Sequence, residues 1–488
     1  MTSPETPNWV RDAIFYQIFP DRFARSEQVP KPSNLEPWDS APTVHGFKGG
    51  DLLGVAEHLD YLQDLGVTAI YFNPVFQSAA NHRYHTYDYY QVDPILGGNG
   101  ALRSLLDQAH QRDMRVILDG VFNHASRGFF QFHHIVENGP ASPYVDWFII
   151  KRFPLRPYYA PKGQHGYESW WDLPALPKLN VDTKAVREFL WDVACHWIEF
   201  GIDGWRLDVP GEIDDDEFWQ EFRQRVKAIN PEAYIVGEIW SDAQRWLQGD
   251  QFDAVMNYLL TRACLGFFVG DNLLQAEIAR TGYHQVNTRK AEEFADEVKD
   301  LLNLYPQAVI EVQYNLLGSH DTPRFKTLAR GDDSAYRLAT LFQMTYPGAP
   351  SIYYGDEIGL EGQHDPGCRG SFPWEKNRWD HELRGYVQRC ISLRHSHPEL
   401  RTGSFELLFA GQGVVSYLRR GEGRSTVVTL NNTRQPVTMD LPMAKHLDEG
   451  TLMRDVWQGD TYQVGRGQLP GVRVAGRSGV VLVTTNEG

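Results

Sequence analysis

The sequence predicts an α/β protein: a (β/α)8 TIM barrel with an irregular subdomain inserted after its third strand, followed by a C-terminal antiparallel β-sandwich domain. Three observations lead to this prediction. Eight short apolar segments rich in β-branched and aromatic residues are spread along most of the chain. Helical patterns lie between many of them, and such alternation is typical of a parallel barrel. From residue 403 onward, short strand signals separated by turn residues follow one another.

Several of the eight predicted strands are nearly continuous apolar runs, as expected of parallel strands that are covered on both faces. The strands are predicted at residues 13–19, 69–75, 115–122, 204–209, 234–239, 254–258, 315–320 and 351–356. Before the fourth strand, Val186, Leu190, Val193 and Trp197 recur at helix spacing. A doubly wound open sheet is the alternative, but no glycine-rich phosphate-binding fingerprint supports it.

The spacing of the strands is uneven in one place, between the third strand and the fourth. Residues 124–176 are rich in Phe, Tyr, Trp, Pro and Gly and show little periodicity. We therefore predict a barrel formed by residues 1–123 and 177–402, an inserted subdomain at 124–176 and a C-terminal β domain at 403–488. Long insertions in a compact domain are usually functional.

Composition and charge exclude several classes of function. The chain has 42% apolar and 23% charged residues, as globular proteins do, and its net charge of −16 argues against a nucleic-acid partner. Its four cysteines are far apart, so neither a disulfide framework nor a zinc site is indicated. No signal-peptide pattern and no apolar run of about 20 residues is present. We therefore expect a cytoplasmic protein without a membrane partner.

Three carboxylates lie where predicted strands end, at the ends where barrel enzymes carry their chemistry. Asp208 closes the fourth strand, Glu238 closes the fifth, and Asp321 follows the seventh. Ionised carboxylates are costly to bury unless they are paired, so three such positions are hard to explain by packing. Two carboxyl groups on either side of a glycosidic bond are the machinery of glycoside hydrolysis.

Neighbouring residues suggest a role for each acid. Arg206 lies two residues before Asp208 on the same strand face and would keep it ionised, as a nucleophile must be. Apolar residues flank Glu238, which predicts a raised pKa suited to a general acid. Asp321 would offer hydrogen bonds to sugar hydroxyls. The alternatives are a structural ion pair for Arg206 with Asp208 and a solvated strand end for Glu238.

Four blocks, in their usual order, resemble those of the α-amylase clan of glycoside hydrolases. They are D-G-V-F-N-H at 119–124, G-W-R-L-D-V at 204–209, G-E-I-W at 237–240 and L-G-S-H-D-T at 317–322. L-P-K-L-N at 176–180 and D-P-G-C-R-G-S-F-P-W at 365–374 are similar to blocks of the neopullulanase, cyclomaltodextrinase and maltogenic amylase subgroup. The resemblance spans about residues 12–488 and implies an α-glucan hydrolase.

The resemblance also implies roles for individual residues of this chain. It makes Asp208 the nucleophile, Glu238 the acid/base and Asp321 the transition-state stabiliser of a retaining mechanism, with the first two carboxyl groups about 5–5.5 Å apart. The residues implied to bind substrate are Tyr87, His124, Arg206 and His320 at the cleaved end, Asp365 and Arg369 at the next sugar, and Glu212 and Trp240 on the leaving-group side. His124 and His320 could instead be core histidines.

The chain departs from this subgroup at two places that affect assembly and specificity. The subgroup's extra N-terminal β domain, which helps to build its dimer, is not expected because the barrel begins near residue 12. The oligomeric state therefore stays open, and a homodimer would need a different interface. Gly211 stands where relatives commonly carry an Asn, which we expect to affect linkage preference and the balance between transfer and hydrolysis.

No metal and no cofactor are expected. The loop at 26–34 lacks the Asp/Asn pairs that bind calcium in some relatives. Gly49 and Asp51 alone offer too few of the six to eight oxygens that calcium takes. His82 and His85 lie in an aromatic loop without a third ligand nearby.

The resemblance implies a retaining hydrolase of α-1,4 and α-1,6 bonds in malto-oligosaccharides, cyclodextrins, pullulan or branched α-glucans, with transglycosylation as a further activity. One alternative is an α-glucanotransferase or glycosyl isomerase that uses the same covalent intermediate. Another is a non-catalytic glucan-binding protein, which the presence of all three carboxylates disfavours. Product analysis on maltotriose separates transfer from hydrolysis.

Overall fold

The structure, a computed structural model, describes residues 4–159 and 161–485. The chain forms two compact units. The first comprises the residues up to Asn8, Phe15–Met256 and Arg369–Pro373. The second comprises Trp9–Ile14, Asn257–Cys368 and the chain from Trp374 onward.

Eight parallel strands confirm the predicted TIM-barrel class. The first unit contains six, which pair in chain order: Phe15–Ile18, Ala69–Phe72, Arg115–Gly120, Gly204–Leu207, Tyr234–Gly237 and Ala254–Val255. The second unit contains the other two, Tyr314–Leu316 and Ala349–Tyr353, which pair with each other. Every residue of these strands except Arg115 is buried, because helices cover the outer face of a TIM barrel and side chains fill its interior.

Helices connect the strands and bury the apolar faces that the sequence pattern predicts. Val186, Leu190, Val193 and Trp197 are all buried in the helix before the fourth strand. The helices are Asn8–Asp12, Pro20–Phe23, Leu52–Ala56, Leu59–Leu65, Gly98–His110, Phe130–Asn138, Lys184–Phe200, Asp216–Ile229, Tyr258–Cys264, Gln275–Ile278, Ala291–Leu304, Gln307–Ile310, Phe325–Leu328, Asp333–Thr345, His381–Ser396 and Glu399–Thr402. Within residues 4–159 and 161–485, none of them combines the length and apolar character needed to span a bilayer.

The insertion after the third strand is irregular, as predicted. It holds the helix Phe130–Asn138, several single turns of 3-10 helix and isolated β-bridges. One bridge pairs His124 with Lys178 and so joins the beginning of the insertion to the residues that follow it. Because His124 comes just after the third parallel strand, the insertion starts and ends beside that strand's carboxyl end. The predicted boundaries at 123/124, 176/177 and 402/403 stay predictions.

The C-terminal part of the second unit is antiparallel β structure, as predicted. Its six-stranded sheet has the spatial order Ser404–Gly411, Val414–Gly421, Arg424–Asn431, Ser478–Thr484, Leu452–Asp455 and Thr461–Gln463. A two-stranded sheet pairs Val437–Pro442 with Gln468–Val474. Leu418 and Leu482 from the first sheet and Leu441 and Leu469 from the second share one buried cluster. The two sheets therefore pack as a sandwich around a common core.

Candidate active site

Arg206 lies at the carboxyl end of the fourth parallel strand. Its backbone is in register with Asp119 of the third strand and with Val236 of the fifth. Asp208 is two residues further along the chain, and Glu238 follows the end of the fifth strand. Since neighbouring parallel strands end at the same edge of a sheet, these acidic side chains converge on Arg206.

A single guanidinium group contacts all three of these carboxylates. Nη1 of Arg206 lies 3.1 and 2.9 Å from the two oxygens of Asp119 and 3.1 Å from Oδ1 of Asp208. Nη2 lies 3.0 Å from Oε2 of Glu238. All four side chains are buried, with Asp208 8% and Glu238 7% exposed. The structure therefore brings Asp208, Glu238 and Arg206 together, as the strand-end pattern predicts.

Two tyrosines that the sequence did not single out complete the surroundings of Asp119. The hydroxyls of Tyr71 and Tyr84 donate to Oδ2 of Asp119 at 2.6 and 2.9 Å. Burial raises the pKa of Tyr71 well above its usual value, so Tyr71 stays a neutral donor. Burial alone would lower the pKa of Arg206, but Asp119, Tyr71 and Glu238 raise it well above the usual value. The site thus holds a permanent cation among its acids.

The expectation that Glu238 lies in apolar surroundings is wrong. Its Oε1 accepts a hydrogen bond from Nε1 of Trp240 at 3.0 Å, and its Oε2 accepts one from the backbone N–H of Val209 at 3.1 Å. The Arg206 guanidinium is a third contact. The physical reason is that Glu238 follows the last strand residue, Gly237, so its carboxylate leaves the apolar layer and meets donors from neighbouring loops.

Val209 adopts an unusual backbone conformation directly after Asp208. Its φ of 37° and ψ of 49° are left-handed, which is rare for a β-branched residue. The same residue donates its N–H to Glu238. Backbone strain of this kind clusters at functional sites, where surrounding contacts hold it in place.

Two histidines of the first unit stay neutral at ordinary pH. Burial, and to a lesser degree His85, lowers the pKa of His124 to about 3. Burial, with Arg127 and His45, lowers the pKa of His85 to about 4. His124 is fully buried just after the third strand, with its ring parallel to that of Trp170 at 6.2 Å. A neutral imidazole can exchange hydrogen bonds with sugar hydroxyls without bringing a charge.

We expect acid to destabilise the fold between pH 6.5 and about 4, because these two histidines take up protons only on unfolding. The unfolded chain, with an ordinary pKa near 6.5, binds more protons in this window, so the free energy of unfolding falls as the pH falls. The free energy of unfolding should therefore be lower at pH 4.5 than at pH 7, and His85→Gln should make this difference smaller by about 2 kcal/mol. Urea denaturation at both pH values measures it. His133→Gln, at a half-exposed position, is the control, and an equal pH dependence in both variants would contradict the expectation.

The remaining substrate-binding candidates of the first unit lie on surrounding loops. Glu212 is half-exposed, with its carboxylate 3.5 Å from Nζ of Lys178, which also donates to the Glu212 carbonyl at 2.9 Å. Lys178, in the L-P-K-L-N block, was not predicted to contact this loop. The Tyr87 ring packs on Gly128, where an added Cβ would lie 2.4 Å from Cε1. The Arg369 guanidinium lies 5.4 Å from the ring centre of Phe19.

Three candidates belong to the second unit. Nε2 of the buried His320 lies 3.0 Å from Oδ2 of Asp321, whose side chain is one-third exposed. The Asp321 N–H donates to Oγ of Ser319 at 3.2 Å. Asp365 follows His364, whose backbone N–H and ring Nδ1 both lie 3.0 Å from Oε2 of Glu277. Glu277 therefore holds the segment that carries Asp365.

Two lysine ammonium groups lie among oxygen atoms in the loop after the first strand. Nζ of the buried Lys48 lies near oxygens of Pro37 at 2.7 Å, Ser40 at 2.8 Å and Glu36 at 3.3 Å. Nζ of Lys31 lies 2.8 Å from Oδ2 of Asp51, whose Oδ1 caps the helix Leu52–Ala56. Across the two described stretches of chain, no three His, Cys, Asp or Glu residues are grouped to hold a metal ion.

Replacing Arg206 with methionine is expected to destabilise the protein by about 3–5 kcal/mol, because it leaves buried carboxylates without their cation. Urea denaturation at pH 7 measures this loss. Arg223→Met is a matched control in the same unit, since its partner Asp253 keeps a second cation, Lys227, at 3.0 Å. A loss in the Arg206 variant no larger than that in the control would mean that the guanidinium does not stabilise the buried acids.

Barrel enzymes carry their chemistry at the carboxyl ends of the strands, and a pair of carboxyl groups there is the arrangement that glycoside hydrolases use. Residues 17–403 match the family model described as the α-amylase catalytic domain, and residues 405–482 match the neopullulanase-like C-terminal domain. The chain belongs to the α-amylase family of glycoside hydrolases. The predicted family, and the predicted likeness to its neopullulanase and cyclomaltodextrinase subgroup, are confirmed.

Individual relatives agree with this assignment. The chain is 46% identical over 439 residues to a cyclomaltodextrinase from Bacillus sp., an alignment that covers 89% of this chain and 75% of that one. A solved structure from Thermus thermophilus is 50% identical with a TM-score of 0.93, covering 97% of this chain and 99% of that one. The debranching enzyme of Nostoc punctiforme, in its native form, is 47% identical with a TM-score of 0.90, covering 99% and 100%.

Proposed function

We propose that this chain is a retaining hydrolase of α-1,4 and α-1,6 glucosidic bonds in malto-oligosaccharides, cyclodextrins, pullulan or branched α-glucans, with transglycosylation as a side reaction. The observation that carries the proposal is the single guanidinium of Arg206 that contacts both Asp208 and Glu238. The names of relatives support the substrate class. They include cyclomaltodextrinase, neopullulanase and a cyclic α-maltosyl-(1→6)-maltose hydrolase from Arthrobacter globiformis solved with maltose.

In the proposed mechanism, a carboxylate oxygen of Asp208 attacks the anomeric carbon while Glu238 protonates the departing glycosidic oxygen. The carbon–oxygen bond to the leaving sugar breaks, and a glycosyl ester of Asp208 forms. Glu238, now ionised, accepts a proton from water, which attacks the ester and regenerates Asp208. The contact with Arg206 keeps Asp208 ionised for the first step. In this scheme Asp321 stabilises the transition state.

The remaining candidates have binding roles in this proposal. Tyr87, His124, Arg206 and His320 hold the sugar whose bond is cleaved, and Asp365 and Arg369 hold the next one. Glu212 and Trp240 contact the leaving group. The Trp240 side chain has a direct structural link to this role, since it donates to the proposed proton donor at 3.0 Å.

We also propose that the enzyme acts in the cytoplasm. The support is a relative from Bacillus subtilis, 42% identical over 400 residues, that is named intracellular maltogenic amylase. Fractionation of cells that express the full chain tests this location. Sedimentation of the purified protein decides between a monomer and a homodimer.

A product time course tests the proposed function. Maltoheptaose, a cyclodextrin, pullulan and a branched oligosaccharide are incubated with the enzyme, and the configuration of the first product is followed by NMR. We expect release of new reducing ends with the α anomer appearing first. A β anomer first would refute the retaining mechanism, and no release from any of the four would refute the substrate class. Longer oligosaccharides as the main products of maltotriose would instead identify a transferase.

A further inference from the structure

The inserted subdomain presents aromatic side chains to solvent. Most of the large apolar side chains that are exposed along residues 4–159 and 161–485 lie in it: Phe130, Tyr158, Tyr159, Trp171 and Leu173. Trp171 is 77% exposed. A large apolar side chain that is this exposed is a candidate for contact with a ligand or a partner.

The backbone that carries Trp171 is strained. Trp171 has a φ of 49° and Asp172 a φ of 57°, so two successive non-glycine residues are left-handed. The Asp172 carboxylate accepts the N–H of Gly163 at 2.7 Å, and the Asp172 N–H donates to the Ser169 carbonyl at 3.2 Å. These contacts fix the turn and keep the indole exposed. Backbone strain that surrounding contacts maintain is common at ligand-binding positions, which makes Trp171 a candidate for such a role.

Trp171 is the outer ring of a stack that begins at the candidate site. Its ring lies 5.3 Å from that of Trp170 at an angle of 20°. The half-buried Trp170 is in turn parallel to His124, at 6.2 Å and 1°. His124 is buried at the carboxyl end of the third strand. Three stacked rings therefore lead from a proposed sugar-binding histidine to the protein surface.

We propose that Trp171, backed by Trp170, is a stacking platform for a glucose unit of a longer α-glucan chain, beyond the sugars on either side of the cleaved bond. This inference rests on the proposed function. Flat indole rings match the C–H face of a pyranose ring, and the neutral sugar needs no countercharge from a chain whose net charge is −16. The platform makes the enzyme favour long substrates over short ones.

The test compares kcat/KM on maltoheptaose and on maltotriose for the wild type and Trp171→Gly. Glycine suits the left-handed backbone, so this variant should keep its thermal unfolding midpoint. We expect about a fivefold to tenfold loss on maltoheptaose, as a higher KM with unchanged kcat, and a change of less than about twofold on maltotriose. Trp171→Tyr should retain most of the long-chain activity. Phe130→Ala, which removes another exposed ring outside this stack, is the control. It should leave kcat/KM unchanged on both substrates.

Several outcomes would overturn the platform. An equal loss on both substrates, no loss on either, or the same long-chain loss in the Phe130 control would do so. A change of oligomeric state in Trp171→Gly without a chain-length effect would identify the ring as a protein contact instead. The proposed function fails separately, if the wild type itself cleaves neither oligosaccharide. If the wild type cleaves both oligosaccharides and Trp171→Gly has the same kcat/KM on each, the platform is overturned but the proposed function is not.

Discussion

Asp208→Asn is expected to abolish cleavage of α-glucans while the protein remains folded. The amide nearly matches the carboxylate in size but is a poor nucleophile, so kcat should fall by at least about 10⁴-fold. The fold should persist because Arg206 keeps the carboxylate of Asp119 at 2.9 Å as a partner. Release of reducing ends from maltoheptaose measures the loss.

Asp203→Asn is a suitable control for this variant. Asp203 precedes the same strand at its opposite end and is also buried, where it contacts Arg115 at 2.9 Å and His110 at 2.8 Å. Its replacement should lower stability but leave kcat within about twofold, because barrel chemistry lies at the carboxyl end of the strands. An Asp208 variant that keeps more than a tenth of wild-type kcat would rule out a nucleophilic role.

Glu238→Gln should distinguish the proton donor from the nucleophile, because its loss of activity should depend on the leaving group of the substrate. Without a proton donor, kcat on maltoheptaose should fall by about 10²–10⁴-fold. A dinitrophenyl α-glucoside has a leaving group that departs without protonation. With this substrate, the rate at which the glycosyl ester forms should fall far less. Pre-steady-state release of the dinitrophenol measures that step.

The Asp208→Asn variant is the matched control for this selectivity. A missing nucleophile affects both substrates, so that variant should lose activity on the glucan and on the aryl glucoside alike. If Glu238→Gln loses activity on the glucan and on the aryl glucoside to the same extent, Glu238 does not act as the proton donor. Its contact with Arg206 would then be a structural ion pair.

Local patterns in the sequence were sufficient to predict the eight parallel strands and the position of Asp208 and Glu238 at the ends of neighbouring strands. The run R-V-I-L-D-G indicates a buried strand from its own residue types, without knowledge of the strands that pair with it. The third, fourth and fifth strands are neighbours in the sheet, so their ends lie together. The Arg206–Asp208 contact follows from their spacing of two on one strand.

Contacts that depend on distant segments could not be predicted in this way. Tyr71 donates to Asp119 from 48 residues away, and Lys178 reaches Glu212 across 34. Nothing in the residue types indicates these pairs before the chain is folded. The apolar neighbours of Glu238 in the sequence suggested the wrong surroundings. The hydropathy of a strand does not show which groups the first side chain after that strand contacts.

The left-handed valine after Asp208 has a consequence for engineering the enzyme toward heat tolerance. Glycine at position 209 would relieve on the order of 1 kcal/mol of steric conflict. It would also leave the amide that contacts Glu238 less firmly positioned. Selection for survival at high temperature alone would therefore favour glycine there, whereas selection for turnover would retain valine.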